Sequence, residues 1–124
     1  MTILEVFEPL DAHDRRLARS ATGLLAAFNG AGVVTAADVH LARTLARTTR
    51  EQDEQAALAA AVASRALRSG SVGADLAALA DAGRQSLPEL SWPDPQEWTD
   101  RVRASKLVAQ GALVVEHGLV YLQR

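Results

Sequence analysis

The stretch from Glu51 to Ser69 constrains the fold most, because it predicts a long helix made almost entirely of small apolar residues. Its apolar positions recur at helical spacing and form one stripe, which consists of Leu58, Ala59, Val62, Ala63, Ala66 and Leu67. Acidic residues begin the stretch, arginines end it and Gly70 follows, an order that suits the helix dipole and a helix stop. Alanine supplies 25 of the 124 residues and aromatic residues only 4%. We therefore expect thin helices that pack closely.

Two further helices are predicted before this stretch, over residues 13–29 and 35–48. In the first, apolar side chains from Leu17 to Phe28 fall on one face at helical spacing. In the second, Thr35 is a good N-cap, and Asp38 lies three residues later, where an acid favours a helix start. The pair predicts an N-terminal helical hairpin.

Two shorter helices are predicted after this stretch. Asp75 can cap a brief helix that ends at Gly83. The run Asp-Pro-Gln-Glu that starts residues 94–103 places an acid at the cap, a proline at the first helical position and a glutamate at the third. We expect this helix to turn Trp98 and Val102 inward.

Two β-type runs close the sequence, Leu113–Glu116 and Leu119–Leu122, and the intervening His117-Gly118 predicts a tight hairpin. With a two-residue turn, position 115 faces position 120 and position 113 faces position 122. Glycine suits the second turn position, whereas histidine is not a favoured first residue of a type I′ turn. A register that differs by one residue therefore stays open.

The order of these elements predicts the fold class. From residue 51 onward it is helix, short extended piece, two helices and hairpin, which is the element order of a winged-helix domain. We expect a mainly α fold, with an N-terminal helical hairpin plus a winged-helix-like unit that ends in a two-stranded β-hairpin. The length fits a single domain, divided into a loose arm at 1–12, a helical hairpin at 13–49 and the winged-helix-like unit at 50–124.

Composition and motifs argue against several classes of function. The formal net charge is −2, whereas chains that wrap nucleic acid carry a strong positive excess. Cysteine is absent and the three histidines lie in separate predicted elements, so no metal site is predicted. Phosphate-binding loops, dinucleotide-binding glycine motifs and hydrolase elbows do not occur, and no catalytic residues can be assembled. Neither a membrane span nor a signal peptide is predicted.

The predicted hairpin is apolar on both sides, whereas a hairpin with one wet face alternates apolar and polar residues. Val114, Leu119 and Tyr121 share the second side with Glu116. That side needs a cover, which is either another part of this chain, such as the N-terminal arm, or the surface of a partner.

One helix face is basic, because His40, Arg43, Arg47 and Arg50 recur at spacings of three, four and three. It is either a solvated face paired with the acids of the domain or a patch that meets phosphate or an acidic partner. The helix at 94–103 occupies the position that reads the major groove in DNA-binding winged helices. It carries three acids, which disfavour an approach to phosphates.

Several segments of the sequence resemble one protein family. They are residues 27–34 (AFNGAGVV), 37–40 (ADVH), 58–76 (LAAAVASRALRSGSVGADL), 90–98 (LSWPDPQEW), 102–105 (VRAS) and 119–124 (LVYLQR). These packing and turn motifs, from about residue 24 to residue 124, resemble the N-terminal domain of RecD, the alpha subunit of exodeoxyribonuclease V, which is the RecBCD helicase–nuclease. Residues 1–20 carry no match.

The resemblance implies that the parent protein is an ATP-driven motor that moves 5′ to 3′ on single-stranded DNA during double-strand-break repair. It also implies that this domain docks the subunit onto RecC, and that Trp92, Trp98 and the hairpin support or form the docking surface. The motor would follow residue 124, so the chain is either a piece that ends before the motor or a stand-alone relative. No ATPase residue is carried over, and ATP and Mg are expected only for the motor.

Two functional hypotheses result. The first is a protein-docking domain of a RecD-like subunit, with RecC-like and RecB-like subunits as partners, DNA contacted through the full complex, no membrane contact and a cytoplasmic location. The alternative is a small winged-helix DNA-binding regulator that uses the arginine-rich helix face. Under both hypotheses the 124-residue chain itself is expected not to be an enzyme.

Overall fold

The computed structural model describes residues 4–18 and 21–123. Over these residues the elements in chain order are α1 (Gly23–Gly30), α2 (Ala36–Thr49), α3 (Glu54–Arg68), β1 (Ala74–Asp75), α4 (Leu76–Ser86), α5 (Pro95–Arg103), α6 (Lys106–Ala109), β2 (Leu113–Glu116) and β3 (Leu119–Leu122). The strands form one antiparallel sheet in the order β1-β3-β2. The predicted mainly α fold with a C-terminal β-hairpin is confirmed.

Helix α3 lies at the centre of the fold, because its small side chains let neighbours approach from several sides. It contacts α1, α2, α5, β1 and β3, and all residues from Ala56 to Ala63 are buried. Asp53 caps it by accepting a hydrogen bond from the backbone N–H of Gln55 at 2.9 Å, so the helix begins later than the predicted Glu51.

Thr35 is the N-cap of α2, as predicted, and together with Asp38 it forms a capping box. The Thr35 hydroxyl accepts from the Asp38 N–H at 3.5 Å, and the Asp38 carboxylate accepts from the Thr35 N–H at 2.9 Å. The same carboxylate is buried and accepts from the Ser64 hydroxyl at 2.7 Å and from Arg68 at 2.8 Å. The start of α2 is therefore held against α3.

The predicted helix over residues 13–29 is wrong in its first half. The described residues from 4 to 18 contain no helix, and α1 begins only at Gly23. Two aspartates divert the backbone: Asp11 accepts from the N–H of residue 13 at 2.7 Å, and Asp14 accepts from the N–H groups of residues 10 and 16 at 2.9 Å. Such local side-chain bonds compete with helical ones. The predictions for residues 1–3 and 19–20 lie outside the described residues.

The side chain of Asn29, in α1, forms hydrogen bonds with the backbone of residues 16 and 18, which lie well before it in the sequence. Its side-chain oxygen accepts from the Ala18 N–H at 2.7 Å, and its side-chain nitrogen donates to the Arg16 carbonyl at 2.7 Å and to the Val34 carbonyl at 2.9 Å. Asn29 is buried, so these three hydrogen bonds satisfy its amide. They hold an irregular segment against the turn between α1 and α2.

Gly83 does not end α4, which continues to Ser86, and this prediction is wrong. The glycine is needed for packing, because a Cβ there would run into the indole ring of Trp92. That ring also meets Phe28 edge-on, with centroids 4.7 Å apart, and its Nε1–H donates to the Leu87 carbonyl at 3.0 Å. The close contact with Trp92, and not a helix stop, explains why glycine occupies position 83.

The predicted start of α5 is confirmed. The Asp94 carboxylate caps it by accepting from the Glu97 N–H at 3.0 Å. Trp98 and Val102 are fully buried, and the Trp98 Nε1–H donates to the Gln55 carbonyl of α3 at 2.8 Å. The four-residue helix α6 was not predicted, because so short an element has no measurable periodicity.

Among the described residues, no helix is long and apolar enough to cross a membrane.

Candidate docking surface

The C-terminal hairpin has the predicted register. Position 113 pairs with 122 and position 115 with 120, so a register one residue away is excluded. His117 and Gly118 form the turn with φ values of 53° and 77°. Positive φ at both central residues is the type I′ geometry, which matches the twist of the strands. Histidine therefore occupies the left-handed conformation that the sequence left in doubt.

The two faces of the hairpin differ in burial. On the inner face, Leu113 and Val120 are 1% exposed and belong to the core. On the outer face, Val114, Leu119 and Tyr121 are only partly buried, and they are not among the apolar side chains that pack against that core. We call these three residues the hairpin face.

The pairing of β1 with β3 extends the hairpin face across the sheet. Tyr121 lies between Val114 of β2 and Gly73, where an added Cβ would lie 3.2 Å from the Tyr121 side chain. Leu119 lies between Glu116 of β2 and Asp75 of β1. The outer side of the sheet thus combines an apolar row with a leucine flanked by two acidic residues.

The Tyr121 side chain forms a hydrogen bond with Glu116. Its hydroxyl donates to Oε2 of Glu116 at 2.5 Å. This hydrogen bond, followed by partial desolvation and by the charge of the carboxylate, raises the pKa of the Tyr121 phenol above its ordinary value. The contact orients the ring along the hairpin.

An apolar cleft of about 260 Å³ adjoins the hairpin face, and it is lined by Leu67, Val72, Tyr121 and Leu122. Val72 is 83% exposed and Leu67 is 38% exposed. Sequence reasoning missed both, since periodicity assigned Leu67 to the buried stripe and nothing local marks the exposure of Val72. The cleft enlarges the exposed apolar surface around Tyr121.

The two predicted tryptophans lie elsewhere. Trp98 is 0% exposed and Trp92 is 8% exposed, and each indole N–H donates to a backbone carbonyl within the domain. They are part of the core and can support a docking surface only through the fold. The structure therefore brings together Val114, Leu119 and Tyr121 but not the two tryptophans.

The predicted basic residues are all exposed. His40, Arg43 and Arg47 lie on α2, and Arg50 is its C-cap with a φ of 61°. The Lys106 ammonium group donates to the Arg50 carbonyl at 3.3 Å, which links this end of α2 to α6. The basic face and the hairpin face are on different elements.

Residues 4–18 and 21–123 contain no group of three or more His, Asp or Glu side chains that could hold a metal ion.

Comparison with known proteins gives a consistent set of matches. Residues 30–121 match the family model described as RecBCD enzyme subunit RecD, N-terminal domain. The chain is 46% identical over 114 residues to RecBCD enzyme subunit RecD of Mycobacterium tuberculosis, in strains CDC 1551 / Oshkosh and ATCC 25618 / H37Rv. These alignments cover 90% of this chain and 19% of each relative.

The RecBCD enzyme subunit RecD of Mycolicibacterium smegmatis is 44% identical over 102 residues, which are 82% of this chain and 18% of that relative. The chain thus spans about a fifth of the length of the curated relatives that it matches. No solved structure matches it.

Proposed function

Because this chain belongs to the family of RecBCD enzyme subunit RecD N-terminal domains, we propose that it is a protein-docking domain. In this proposal it attaches a RecD-type subunit of exodeoxyribonuclease V to a RecC-like subunit, in a complex that also holds a RecB-like subunit. The observation that carries the proposal is the hairpin face. Its three apolar side chains are partly exposed on a sheet whose other side is already filled by the core.

The chemistry of this surface defines the partner that would fit it. The apolar centre favours an apolar counterpart, since removing such area from water stabilises an interface. Glu116 and Asp75 flank Leu119, so basic groups on the partner would complement the edge of the surface. Because the attraction is mainly apolar, the affinity should depend only weakly on salt.

We assign the enzymatic activity of a full-length RecD-type subunit to the part of the relatives that lies outside the aligned region. The relatives are about five times as long as their aligned part. We place an ATP-dependent 5′–3′ helicase motor, with its ATP and Mg, in that remainder. This domain would then reach DNA only through the assembled complex, during double-strand-break repair in the cytoplasm, and would hydrolyse no ATP alone.

A binding experiment with paired variants tests the proposal. The chain with Leu119→Ser and Tyr121→Ser should retain much less of a RecC-like subunit in a pull-down than the unchanged chain does. The matched control is Leu10→Ser, because Leu10 is 87% exposed but lies in the N-terminal segment. Far-ultraviolet circular dichroism should show that both variants keep the fold.

Two results would contradict the docking role of this surface. One is equal retention of the RecC-like subunit by the double variant and the Leu10→Ser control. The other is a steep fall of the affinity with salt, which is expected for charged contacts and not for apolar ones.

The alternative is a DNA-binding regulator that uses the basic face of α2, and the exposure of His40, Arg43, Arg47 and Arg50 is the observation in its favour. It predicts that Arg43→Glu and Arg47→Glu abolish binding to duplex DNA, with a linear dependence of the logarithm of affinity on the logarithm of salt. The DNA-binding alternative would be excluded if the unchanged chain bound no DNA and those variants still retained a RecC-like subunit.

A further inference from the structure

A second cleft, away from the hairpin, is rich in arginine. It has a volume of about 220 Å³ and lies between the N-terminal segment and the last turns of α3. The charged and hydroxyl-bearing side chains on its wall are Glu5, Arg16, Thr35, Arg65, Arg68 and Ser69. Three guanidinium groups, one from the N-terminal segment and two from the end of α3, thus share one small opening.

Each arginine is positioned by a contact that uses only part of its donor set. Arg16 donates through Nε and Nη2 to the Asp14 carboxylate at 3.1 and 2.8 Å and through Nη2 to the Glu8 carbonyl at 3.3 Å, so only Nη1 stays available. Its guanidinium lies 4.5 Å from the centre of the Phe7 ring. Arg68 donates through Nη2 to Asp38 at 2.8 Å, and Arg65 donates through Nη2 to the Glu5 carbonyl at 2.9 Å. A guanidinium has five N–H donors, so Arg65 and Arg68 keep others for a ligand.

Two of the three arginines around the cleft form ion pairs, and the third does not. Asp14 neutralises Arg16, and the buried Asp38 neutralises Arg68. Arg65 forms no ion pair with any described carboxylate, since its bond to Glu5 goes to the backbone oxygen. Burial, and next the positive charge of Arg68, lower the pKa of Arg65, whereas the charges of Glu5 and Asp38 act in the opposite direction.

We propose that this cleft binds a phosphate group, with Arg65 as its principal ligand and Arg68 and Arg16 as supporting donors. Guanidinium groups match phosphate oxygens in both charge and fork geometry. The hydroxyl groups of Thr35 and Ser69 add donors on the same wall. The cleft is smaller than the roughly 300–1,000 Å³ of ordinary small-molecule sites, so it would take the phosphate and leave the rest of the ligand outside. This proposal does not depend on the docking role.

The Glu5 side chain is the matched probe for the electrostatic part of this argument. It is exposed and lines the same cleft, and its charge partly offsets that of Arg65. A bound phosphate would be repelled by this carboxylate. Removing that charge should therefore tighten phosphate binding, whereas removing the charge of an exposed carboxylate far from the cleft, as in Glu89→Gln, should have a much smaller effect.

Titration of the ¹⁵N-labelled chain with inorganic phosphate, at ionic strength held constant with chloride, tests the site. We expect saturable amide shifts at Gly32, Thr35 and Ser69. Arg65→Gln should weaken the binding at least fivefold and Glu5→Gln should tighten it at least twofold. Arg65→Lys, which keeps the charge without the fork, should fall between the unchanged chain and Arg65→Gln. The control is Arg103→Gln, an exposed arginine on α5 that pairs with Asp100, and it should change nothing.

Further arms of the experiment identify the source of the phosphate. A short thymidine oligonucleotide that binds more tightly than inorganic phosphate, with the same loss in Arg65→Gln, indicates a nucleic-acid backbone. Tighter binding of ADP instead indicates a free nucleotide. The proposal is overturned by non-saturable shifts, by equal effects of Arg65→Gln and Arg103→Gln in chains with unchanged spectra, or by acetate that binds as well as phosphate does.

Discussion

Arg68 donates a hydrogen bond to the carboxylate of Asp38 at 2.8 Å, and this ion pair joins the last turn of α3 to the first turn of α2. Asp38 is 1% exposed, whereas about half of the Arg68 side chain remains in water. The carboxylate also accepts from Ser64 and from the backbone of Thr35. One aspartate therefore completes a helix cap and a contact between two helices.

We predict that Asp38→Ala lowers the free energy of unfolding by about 1–3 kcal/mol, because it removes one half of the capping box and leaves the donors of Thr35, Ser64 and Arg68 without their acceptor. The solvated charge of Arg68 adds little to this loss. Urea denaturation measures the change. The control is Asp81→Ala, at an exposed position of α4, which should stay within about 0.5 kcal/mol of the unchanged chain. Equal effects of the two variants would contradict this role of Asp38.

Gly83 should not tolerate alanine even though it lies inside a helix. Alanine normally favours a helix interior over glycine by about 1 kcal/mol. Here the added methyl meets the Trp92 ring, so we expect Gly83→Ala to destabilise the domain by about 1–3 kcal/mol and to alter the near-ultraviolet circular dichroism of tryptophan.

The matched control for this variant is Gly30→Ala. Gly30 is also helical, and a Cβ added there has open space around it. We expect this substitution to be neutral or slightly stabilising. A stable Gly83→Ala variant with an unchanged tryptophan spectrum would show that the close packing of α4 against Trp92 is wrong.

The pKa of the Tyr121 phenol should lie above its ordinary value of 10.0, because the hydroxyl donates a hydrogen bond to the Glu116 carboxylate. A pKa raised by folding stabilises the native state fully below the ordinary value and loses that contribution as the pH rises through the folded-state value. Tyr121 is the only tyrosine in the chain, so absorbance at the tyrosinate band reports it directly.

Glu116→Ala should move the ionisation of Tyr121 toward the ordinary pKa, whereas Glu89→Ala, at an exposed position outside the sheet, should leave it in place. An unchanged titration in Glu116→Ala would mean that the diagonal contact across the hairpin is absent. The same result would question the orientation of Tyr121 in the hairpin face.

Acid should weaken the attachment of the N-terminal segment through Asp14. Hydrogen bonds from the Arg16 side chain and from the N–H groups of Arg16 and Leu10 hold the pKa of this carboxyl well below its ordinary value of 3.8. Because folding depresses the pKa, the stabilisation is present above the ordinary value and is lost as the pH falls toward the folded-state value.

Thermal melting of the unchanged chain and of Asp14→Asn, compared over a series of pH values, measures this contribution. The difference in midpoint between them should be constant near neutral pH and should shrink once the pH falls below about 4. Asp81→Asn should show no such trend. A difference that grows on acidification would reverse the predicted sign.

Local chemistry explains why several elements could be predicted. The capping residues Thr35, Asp75 and Asp94 each accept from the backbone N–H three positions later, so their effect is contained in a short window of sequence. The hairpin itself follows from two β-type runs separated by two turn residues, which are also local. Both sides of these runs are apolar, so the sequence indicated an apolar outer side but left the register open.

Other features depend on residues that are distant in sequence. The segment before α1 has helical spacing, but the amide of Asn29, which is distant in sequence, bonds to its backbone at residues 16 and 18. Gly83 looks like a helix stop until the Trp92 ring is placed over it. In both cases a tertiary contact outweighs a local preference.

The sequence by itself therefore determined several helix caps, the central alanine-rich helix, the existence of the hairpin and the resemblance to a family. Only the tertiary structure decided which hairpin register forms, that Trp92 is a core residue, that Val72 and Leu67 extend the apolar surface, and that three arginines share one cleft. The physical reason is range: caps and turns act over a few residues, whereas burial and charge balance depend on side chains brought together by the whole fold.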